Sequence, residues 1–475
     1  MSVRMRGFAG RIKLSDALRV VLSNVEQVGE EFVPFDQALG RVLAEDVISG
    51  LDVPPFDRSA VDGYALRAAD TFGASPTNPK KFRMVGSVRV GAAPKLQVGK
   101  GQAVKLMTGA QMPRGADAVA MVEHAKPGKG YISVTVPLTP GKNVSARGED
   151  VRAGEVVLRR GHLLRPQDLG MLSSICHLRV RVFRRPRVAI MATGSEIKPP
   201  GERLKSAQIT DINSYSLAAG VASCGGVANR LGIFPDEPEA LRSALLKALK
   251  YDMVLISGGS AVGEHDIAPE TVGRLGKLLF HGVALRPGGP TAFGVVRKKP
   301  VFCLAGFPVA SLVAFDMLVR PALRVMQGLP ADWGCLRVKA KLTRKVTSSL
   351  GRADVVRVRL WSEAGELLAE PIRVTGSSIL SSMTQADGFL LVPEDTEGYE
   401  AGREVEVELY YFTGLGKVPD EIERRTLPCS PSPTMAWPLS KSRNSCQPAT
   451  QPAMLGRSGR SWWLPLHGSW RPRAM

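Results

Sequence analysis

The chain has 475 residues, 44% hydrophobic and 23% charged, with a formal charge of +19 at pH 7. This length holds about three or four ordinary domains, and the composition excludes a disordered chain or a single small module. Lysine and arginine outnumber aspartate and glutamate by 63 to 44, which favours anionic partners, but no dense basic block occurs and nucleic acid is not expected among them.

In chain order, Ser15 offers a cap to a helix carried by Leu18, Val21, Leu22 and Val25 at i, i+3, i+4, i+7. Residues 39–47 read as a helical turn followed by a strand. Residues 51–150, rich in Gly, Pro and short alternating runs, read as a small β domain. Residues 151–183 return to a helical stretch that starts at Pro166-Gln167-Asp168-Leu169. With 8–50 they are expected to form one linker domain interrupted by the β insertion. Residues 184–330 alternate strands (187–192, to 233, 253–256, 278–284, 301–304) with helices (214–223, 238–249, 267–275, 309–327). That pattern predicts a doubly wound parallel α/β sheet with helices on both faces. Residues 335–413 alternate again and predict a β barrel or sandwich. Residues 414–475 hold four of the six tryptophans and many prolines and serines and read as a disordered or aberrant tail. The six cysteines form no CxxC pair, so reduced thiols and a cytoplasmic location are expected. No signal peptide and no run of about 18 apolar residues is seen, so no membrane association is expected.

Candidate chemistry gathers in 184–330. The strand 253–256 runs into Ser257-Gly258-Gly259. Glycines let a backbone approach an oxyanion, though the same pair also serves a tight turn. Asp266 follows in Gly263-Glu264-His265-Asp266, and Thr193-Gly194-Ser195-Glu196 ends the strand 187–192. Loops after parallel strands converge on one sheet edge, so Glu196 and Asp266 are expected to meet there. Two carboxylates beside a phosphate loop suit Mg²⁺, and the alternative is a pair of exposed loop acids. Arg286-Pro287-Gly288-Gly289-Pro290 places an arginine fork at the same edge, either for an oxyanion or as a plain Pro-Gly turn. In the β domain, the segments from Phe56 to Ala65, Met107-Thr108-Gly109-Ala110 and 115–119 are loops without periodicity, and loops of this kind are candidates for function.

Taken together, Pro54-Pro55-Phe56-Asp57-Arg58-Ser59-Ala60-Val61-Asp62-Gly63-Tyr64-Ala65, Met107-Thr108-Gly109-Ala110, Arg147-Gly148-Glu149-Asp150, Thr193-Gly194-Ser195-Glu196, Ile256-Ser257-Gly258-Gly259, Gly263-Glu264-His265-Asp266 and Gly376-Ser377-Ser378 resemble the molybdopterin molybdenumtransferases of the MoeA type, relatives of the gephyrin E domain. Order and spacing agree over residues 10–412. The resemblance implies an elongated homodimer that inserts molybdate into adenylylated molybdopterin and releases AMP with Mg²⁺. The site would form between the α/β domain of one subunit and the β insertion of the other. It implies catalytic roles for Asp62, Thr108, Asp150, Glu196, Asp236 and Asp266, with Glu196 and Asp266 on the metal. Thr193, Gly194, Ser195, Ser257, Gly258, Gly259, Arg286, Pro290 and Ser377 would hold the pterin nucleotide. Three blocks depart from the family. Its Lys-Pro-Gly-Lys-Pro is here Arg286-Pro287-Gly288-Gly289-Pro290, its Gly-Gly-Val-Ser is Gly258-Gly259-Ser260-Ala261, and its Leu-Pro-Gly-Asn-Pro is Leu304-Ala305-Gly306-Phe307-Pro308. Each charged hydrogen bond lost there costs about 1.5–3 kcal/mol. The alternative is a non-catalytic molybdopterin-binding or scaffold paralogue with an altered oxyanion pocket.

Overall fold

The computed structural model describes residues 10–259, 266–332, 336–373 and 376–410. The expected tail, together with Ser260, Ala261 and Gly263 to His265, lies outside them.

The α/β region is built on six strands. In chain order its elements are β1 (Arg187–Thr193), α1 (Asn213–Ser223), β2 (Val227–Phe234), α2 (Pro238–Ala248), β3 (Met253–Ser257), α3 (Ile267–Leu275), β4 (Lys277–His281), β5 (Ala292–Val296), β6 (Lys299–Leu304) and α4 (Pro308–Ala314). The spatial order is β2-β1-β3-β6-β5-β4. Strand residues alternate between two cores, as a period of two requires. Val188, Ile190, Met253, Leu255, Phe302 and Leu304 face α1 and α4. Ala189, Met191, Val254, Ile256, Val301 and Cys303 face α2 and α3. Covered on both faces, β1 and β3 read as unbroken apolar runs.

The expected sheet was all parallel, and here the structure corrects the reading. β5 pairs antiparallel with both β4 and β6. It was missed because its hairpin to β6 turns on Arg297 and Lys298, which adopt φ of 47° and 63°. Such turns usually announce themselves with Asn-Gly or Asp-Gly. The expected helix 309–327 is one helical run with a π turn at Phe315–Val319 and a last segment at Arg320–Met326.

The first helix, Leu14–Leu22, is not capped by Ser15, which lies inside its first turn. Its Leu14 N–H donates instead to Glu394 Oε1 at 2.9 Å, an acceptor 380 residues away. Ala17 and Val21 of this helix join the core beneath α1 and α4. The strands Glu30–Pro34 and Arg179–Phe183 pair antiparallel, as do Val47–Ile48 and Val156–Leu158. Chain segments on either side of the β insertion are thereby held together. Between them the strands Ala118–Met121, Gly63–Leu66, Gln102–Leu106, Lys80–Val88, Tyr131–Val134 and Ala125–Gly128 form one sheet in that order.

The last described region is a closed barrel. Strand Ala353–Glu363 pairs with Glu366–Arg373 and with Gly388–Val392, and Arg337–Leu342 and Glu404–Leu409 complete the ring. Closure removes exposed strand edges. The barrel is tied to the α/β region by Leu285–Arg286, which lies parallel to Ala353 and Asp354. The Arg286 guanidinium donates to the Asp354 carboxylate. Asp354 is 1% exposed and also accepts from Ser348 Oγ at 2.7 Å. Ala353, Val355 and Phe389 continue the same core.

Two predictions follow from this packing. Burial pulls the Asp168 carboxyl up, but bonds from Arg165 and His162 hold it down at about 2. A folded value below the unfolded one stabilises at pH above about 4, and the gain disappears as pH falls towards 2. Asp168→Asn is expected to cost about 2 kcal/mol at pH 7 and almost nothing near pH 2, read from urea unfolding at each pH. Asp354→Ala strands a half-buried guanidinium, which should cost about 3 kcal/mol or more. A melting temperature unchanged from wild type would refute the clamp.

Candidate active site

β1 pairs with β2 on one side and β3 on the other. The chain leaves β1 towards α1 on one face and leaves β3 towards α3 on the opposite face. That divergence opens a crevice beyond the strand ends, the usual ligand position in an open α/β sheet. Thr193-Gly194-Ser195-Glu196 forms one wall. Gly194 N–H donates to Phe234 O at 3.2 Å, and Ile197 N–H closes a turn on Gly194 O at 3.2 Å. Gly258 and Gly259 form the other wall, with φ of +94° and +60°. A Cβ at 258 would stand 2.2 Å from Thr193 O, and one at 259 would stand 2.8 Å from Thr193 Oγ1. Only glycine fits this close approach. Gly259 also lies against the first turn of α3, where Ala268 N–H points to its carbonyl at 3.5 Å.

Several buried polar atoms at this edge have no hydrogen-bond partner among the described residues. They are Thr193 Oγ1, Asn213 Oδ1, Asp266 Oδ1 and Ser311 Oγ. Asn213 is fixed by its amide nitrogen, which donates to Ser257 Oγ and Gly306 O, both at 2.7 Å. Its carbonyl oxygen is therefore left as a positioned acceptor. Asp266 precedes α3, and its Oδ2 lies 3.5 Å from His281 Nε2 at the end of β4. Burial pushes its carboxyl up, His281 opposes this, and Glu270 adds to it. Desolvation of this half-buried carboxylate is the main cause, and any further positive charge beside it would favour the ionised form.

On the β1–β2 side the crevice widens into a cleft of about 700 Å³, lined by Gly194, Ser195, Lys198, Asp211, Tyr215 and Arg230 among others. Asp211 Oδ1 accepts from Ser214 N–H at 3.1 Å and fixes the start of α1.

The remaining residues named from sequence fall as follows. Glu196 and Ser195 are exposed on the loop after β1, and Asp236 is exposed two residues past β2. Pro290 is partly buried in the loop between β4 and β5. Ser377 O accepts Val309 N–H at 3.0 Å at the start of α4. Arg286 has its Nη2 committed to Asp354, while its Nε is buried without a partner among the described residues. In the β insertion, Asp62 Oδ1 accepts both Thr108 N–H at 2.7 Å and Thr108 Oγ1 at 2.8 Å. These bonds hold the Asp62 carboxyl below its usual range. Asp150 is exposed beside the same loops, its N–H donating to Val53 O at 3.0 Å. Arg147 joins them through Asp52 at 2.6 Å and Asp57 at 2.8 Å. Thus Asp62, Thr108 and Asp150 sit with one sheet, and Thr193, Ser257, Gly258, Gly259 and Asp266 with another.

Asn213, Ser311, Tyr215, Arg230 and Asp354 were not named from sequence. The only local signal was Asp211-Ile212-Asn213 ahead of a helix, which reads as a cap. Among the described residues no group of three or more His, Cys, Asp and Glu side chains is gathered for a metal ion.

Known proteins resemble the chain along most of the described length. Residues 12–176 match the MoeA N-terminal region (domain I and II), 189–325 a probable molybdopterin binding domain, and 339–410 the MoeA C-terminal region (domain IV). A putative molybdopterin biosynthesis protein of Methanocaldococcus jannaschii is 38% identical over 382 residues, 78% of this chain and 90% of that protein. A molybdopterin molybdenumtransferase of Bacillus subtilis is 34% identical over 406 residues, 84% of this chain and 94% of that protein. The crystal structure of a molybdopterin biosynthesis MoeA protein from Pyrococcus horikoshii superposes with a TM-score of 0.75 at 38% identity, covering 84% of this chain and all of that one. With family matches in all three regions and relatives this similar over most of their length, the chain belongs to the MoeA family.

Proposed function

We propose that this chain is a molybdopterin molybdenumtransferase, which inserts molybdate into adenylylated molybdopterin and releases AMP. The observation that carries this reading is a set of buried polar atoms at a glycine-walled crevice, Thr193 Oγ1, Asn213 Oδ1 and Asp266 Oδ1, with no partner among the described residues. Buried polar atoms of this kind are costly unless a ligand or water satisfies them. The glycine pair leaves room for a phosphate to approach the backbone. Ser195, Gly194 and Ser257 flank that position. Pro290 and Ser377 would close the crevice from the β4–β5 loop and the barrel.

Asp266 has a buried carboxylate oxygen with no partner among the described residues and Glu196 an exposed carboxylate on the opposite wall, and the pair would suit Mg²⁺ with phosphate and water as its other ligands. When bound, the ion would polarise the phosphoanhydride and offset charge on the departing AMP. Asp236, exposed beyond β2, would act at the same rim. We assign Asp62, Thr108 and Asp150 to the facing side of the site, supplied by a second subunit of a homodimer. In that arrangement the two bonds from Thr108 fix the direction in which the Asp62 carboxylate points. We further divide the chain into a linker region (8–50 and 151–183), an insertion (51–150), a molybdopterin-binding region (184–330) and a barrel (335–413), acting in the cytoplasm.

The test is AMP release from adenylylated molybdopterin by the purified full chain with Mg²⁺, with and without molybdate. Molybdate-dependent release is expected, and Glu196→Gln and Asp266→Asn are each expected to lower kcat by about 10²-fold or more. Tight substrate binding without release would overturn the enzymatic reading. The shared site has its own check. Asp62→Asn and Asp266→Asn subunits, each inactive alone, should regain about a quarter of wild-type activity when refolded together in equal amounts, because half the dimers then carry one intact site. No recovery from verified mixed dimers would place both residues in one subunit's site.

A further inference from the structure

Residues 60–142, within the β insertion, hold twelve lysines and arginines and four acids. Three of the four acids are engaged by neighbouring loops. Asp62 accepts from Thr108, Asp70 Oδ2 accepts Gly101 N–H at 2.9 Å, and Asp117 Oδ1 accepts Ala68 N–H at 2.7 Å. Among the described residues no ion pair reaches any of the twelve cations. The barrel handles a basic strand differently. There Arg337, Lys339 and Lys341 pair with Glu408, Glu404 and Glu366 on the strands beside them.

The cations of the insertion are dispersed in sequence, and strand pairing gathers them. Lys81 stands opposite Ser133, which stands opposite Lys126. Arg83 stands opposite Tyr131, which stands opposite Gly128. Residues two apart on a strand share a face, so Lys81, Arg83, Lys126 and Tyr131 lie together, about 7 Å apart along a strand and about 10 Å across two strand spacings. All four are exposed, while Phe82, Ile132 and Val134 face the core on the other side. The strand Gly63–Leu66 that follows Asp62 is separated from the edge strand Ala125–Gly128 by three others. The patch is therefore distinct from the loops of Asp62 and Thr108.

We propose that this face is a docking surface for an acidic segment of a partner protein. Its carboxylates would take the places that Glu408, Glu404 and Glu366 take in the barrel. Tyr131 supplies an apolar contact among the charges. Its ring lies against Gly128, where a Cβ would stand 2.4 Å from Cζ, and the Lys81 ammonium lies over it at 5.2 Å. A ring engaged in this way is a poor platform for the nucleobases of a single strand. Pro127 on the edge strand offers no N–H, so the partner meets the face of the sheet and does not extend it. A second copy of this chain, with a formal charge of +19, would be repelled. The proposal stands apart from the transferase reading, because none of its residues belongs to the crevice.

The test is fluorescence anisotropy of the full chain at low salt with a labelled peptide of about ten glutamates and with an oligothymidylate of the same charge. Lys81→Gln, Arg83→Gln and Lys126→Gln combined should weaken the peptide about tenfold, with wild-type melting and wild-type AMP release. Lys339→Gln, Lys341→Gln and Lys345→Gln combined remove the same charge from the barrel and should change it less than about twofold. The single variant Lys126→Gln, on the edge strand, should weaken the peptide about twofold. Equal losses in the two triple variants would mean general attraction to a cationic protein and would overturn the proposal. So would wild-type protein that does not bind the peptide. Tighter binding of the oligothymidylate, lost in the first triple variant, would assign the face to nucleic acid instead.

Discussion

The rest of the structure depends on how closely the end of β1 approaches the turn after β3. Ala192 stands opposite Ser257 in the parallel register, so the Thr193 carbonyl meets the backbone at 258 with no room for a Cβ between them. That register is not free to slide. Moving β3 by one residue would exchange Met253 and Leu255 for Val254 and Ile256 on every contact they make. Both cores would be wrong at once. The core on the α1 face also contains Ala17 and Val21 of the first helix and Ala353, Val355 and Phe389 of the barrel. The crevice is therefore held from three regions of the chain, and its shape is a property of the whole packing rather than of two loops.

Rigidity of this kind explains how the edge tolerates polar atoms that have no partner among the described residues. A buried acceptor without a donor costs about 1–3 kcal/mol. A flexible site would relax until Asn213 Oδ1 or Asp266 Oδ1 found a neighbour or solvent. Asn213 cannot turn, because its amide is held at Ser257 and Gly306. Asp266 is fixed at the start of α3, where its carbonyl accepts Glu270 N–H at 3.1 Å. The preorganised edge thus presents fixed acceptors with no partner among the described residues, which a ligand bringing hydrogen-bond donors or positive charge would satisfy.

Features that depend on neighbours in sequence were legible before the fold was known. The alternation of strand and helix gave the doubly wound region, and a Gly pair after an apolar strand marked the crevice wall. Features whose partners lie far away were not. Asn213 bonds to atoms 44 and 93 residues on, and Asp354 meets an arginine 68 residues before it. The cap of the first helix comes from Glu394 rather than the adjacent Ser15, because a half-buried carboxylate delivered by the barrel displaced the local candidate. β5 was lost for a different reason. Arg297 and Lys298 adopt a left-handed turn that their side chains do not favour, and the pairing on either side imposes it.

The arginine at 286 ties these threads together. The resemblance puts two lysines in this loop, and here one is arginine and the other Gly289. An ammonium paired with Asp354 would be a neutralised point charge with no fixed direction for its remaining donors. A guanidinium is a planar fork, so pairing one edge leaves the other aimed elsewhere. Nη2 is spent on the barrel, and Nε is buried without a partner among the described residues. Asp354 also lies beside Arg352, whose Nε is 3.5 Å from Oδ1, so a second cation shares the carboxylate and Arg286 is not fully neutralised. The arginine thus fastens the barrel to the β4–β5 loop through Nη2 while its Nε has no partner among the described residues.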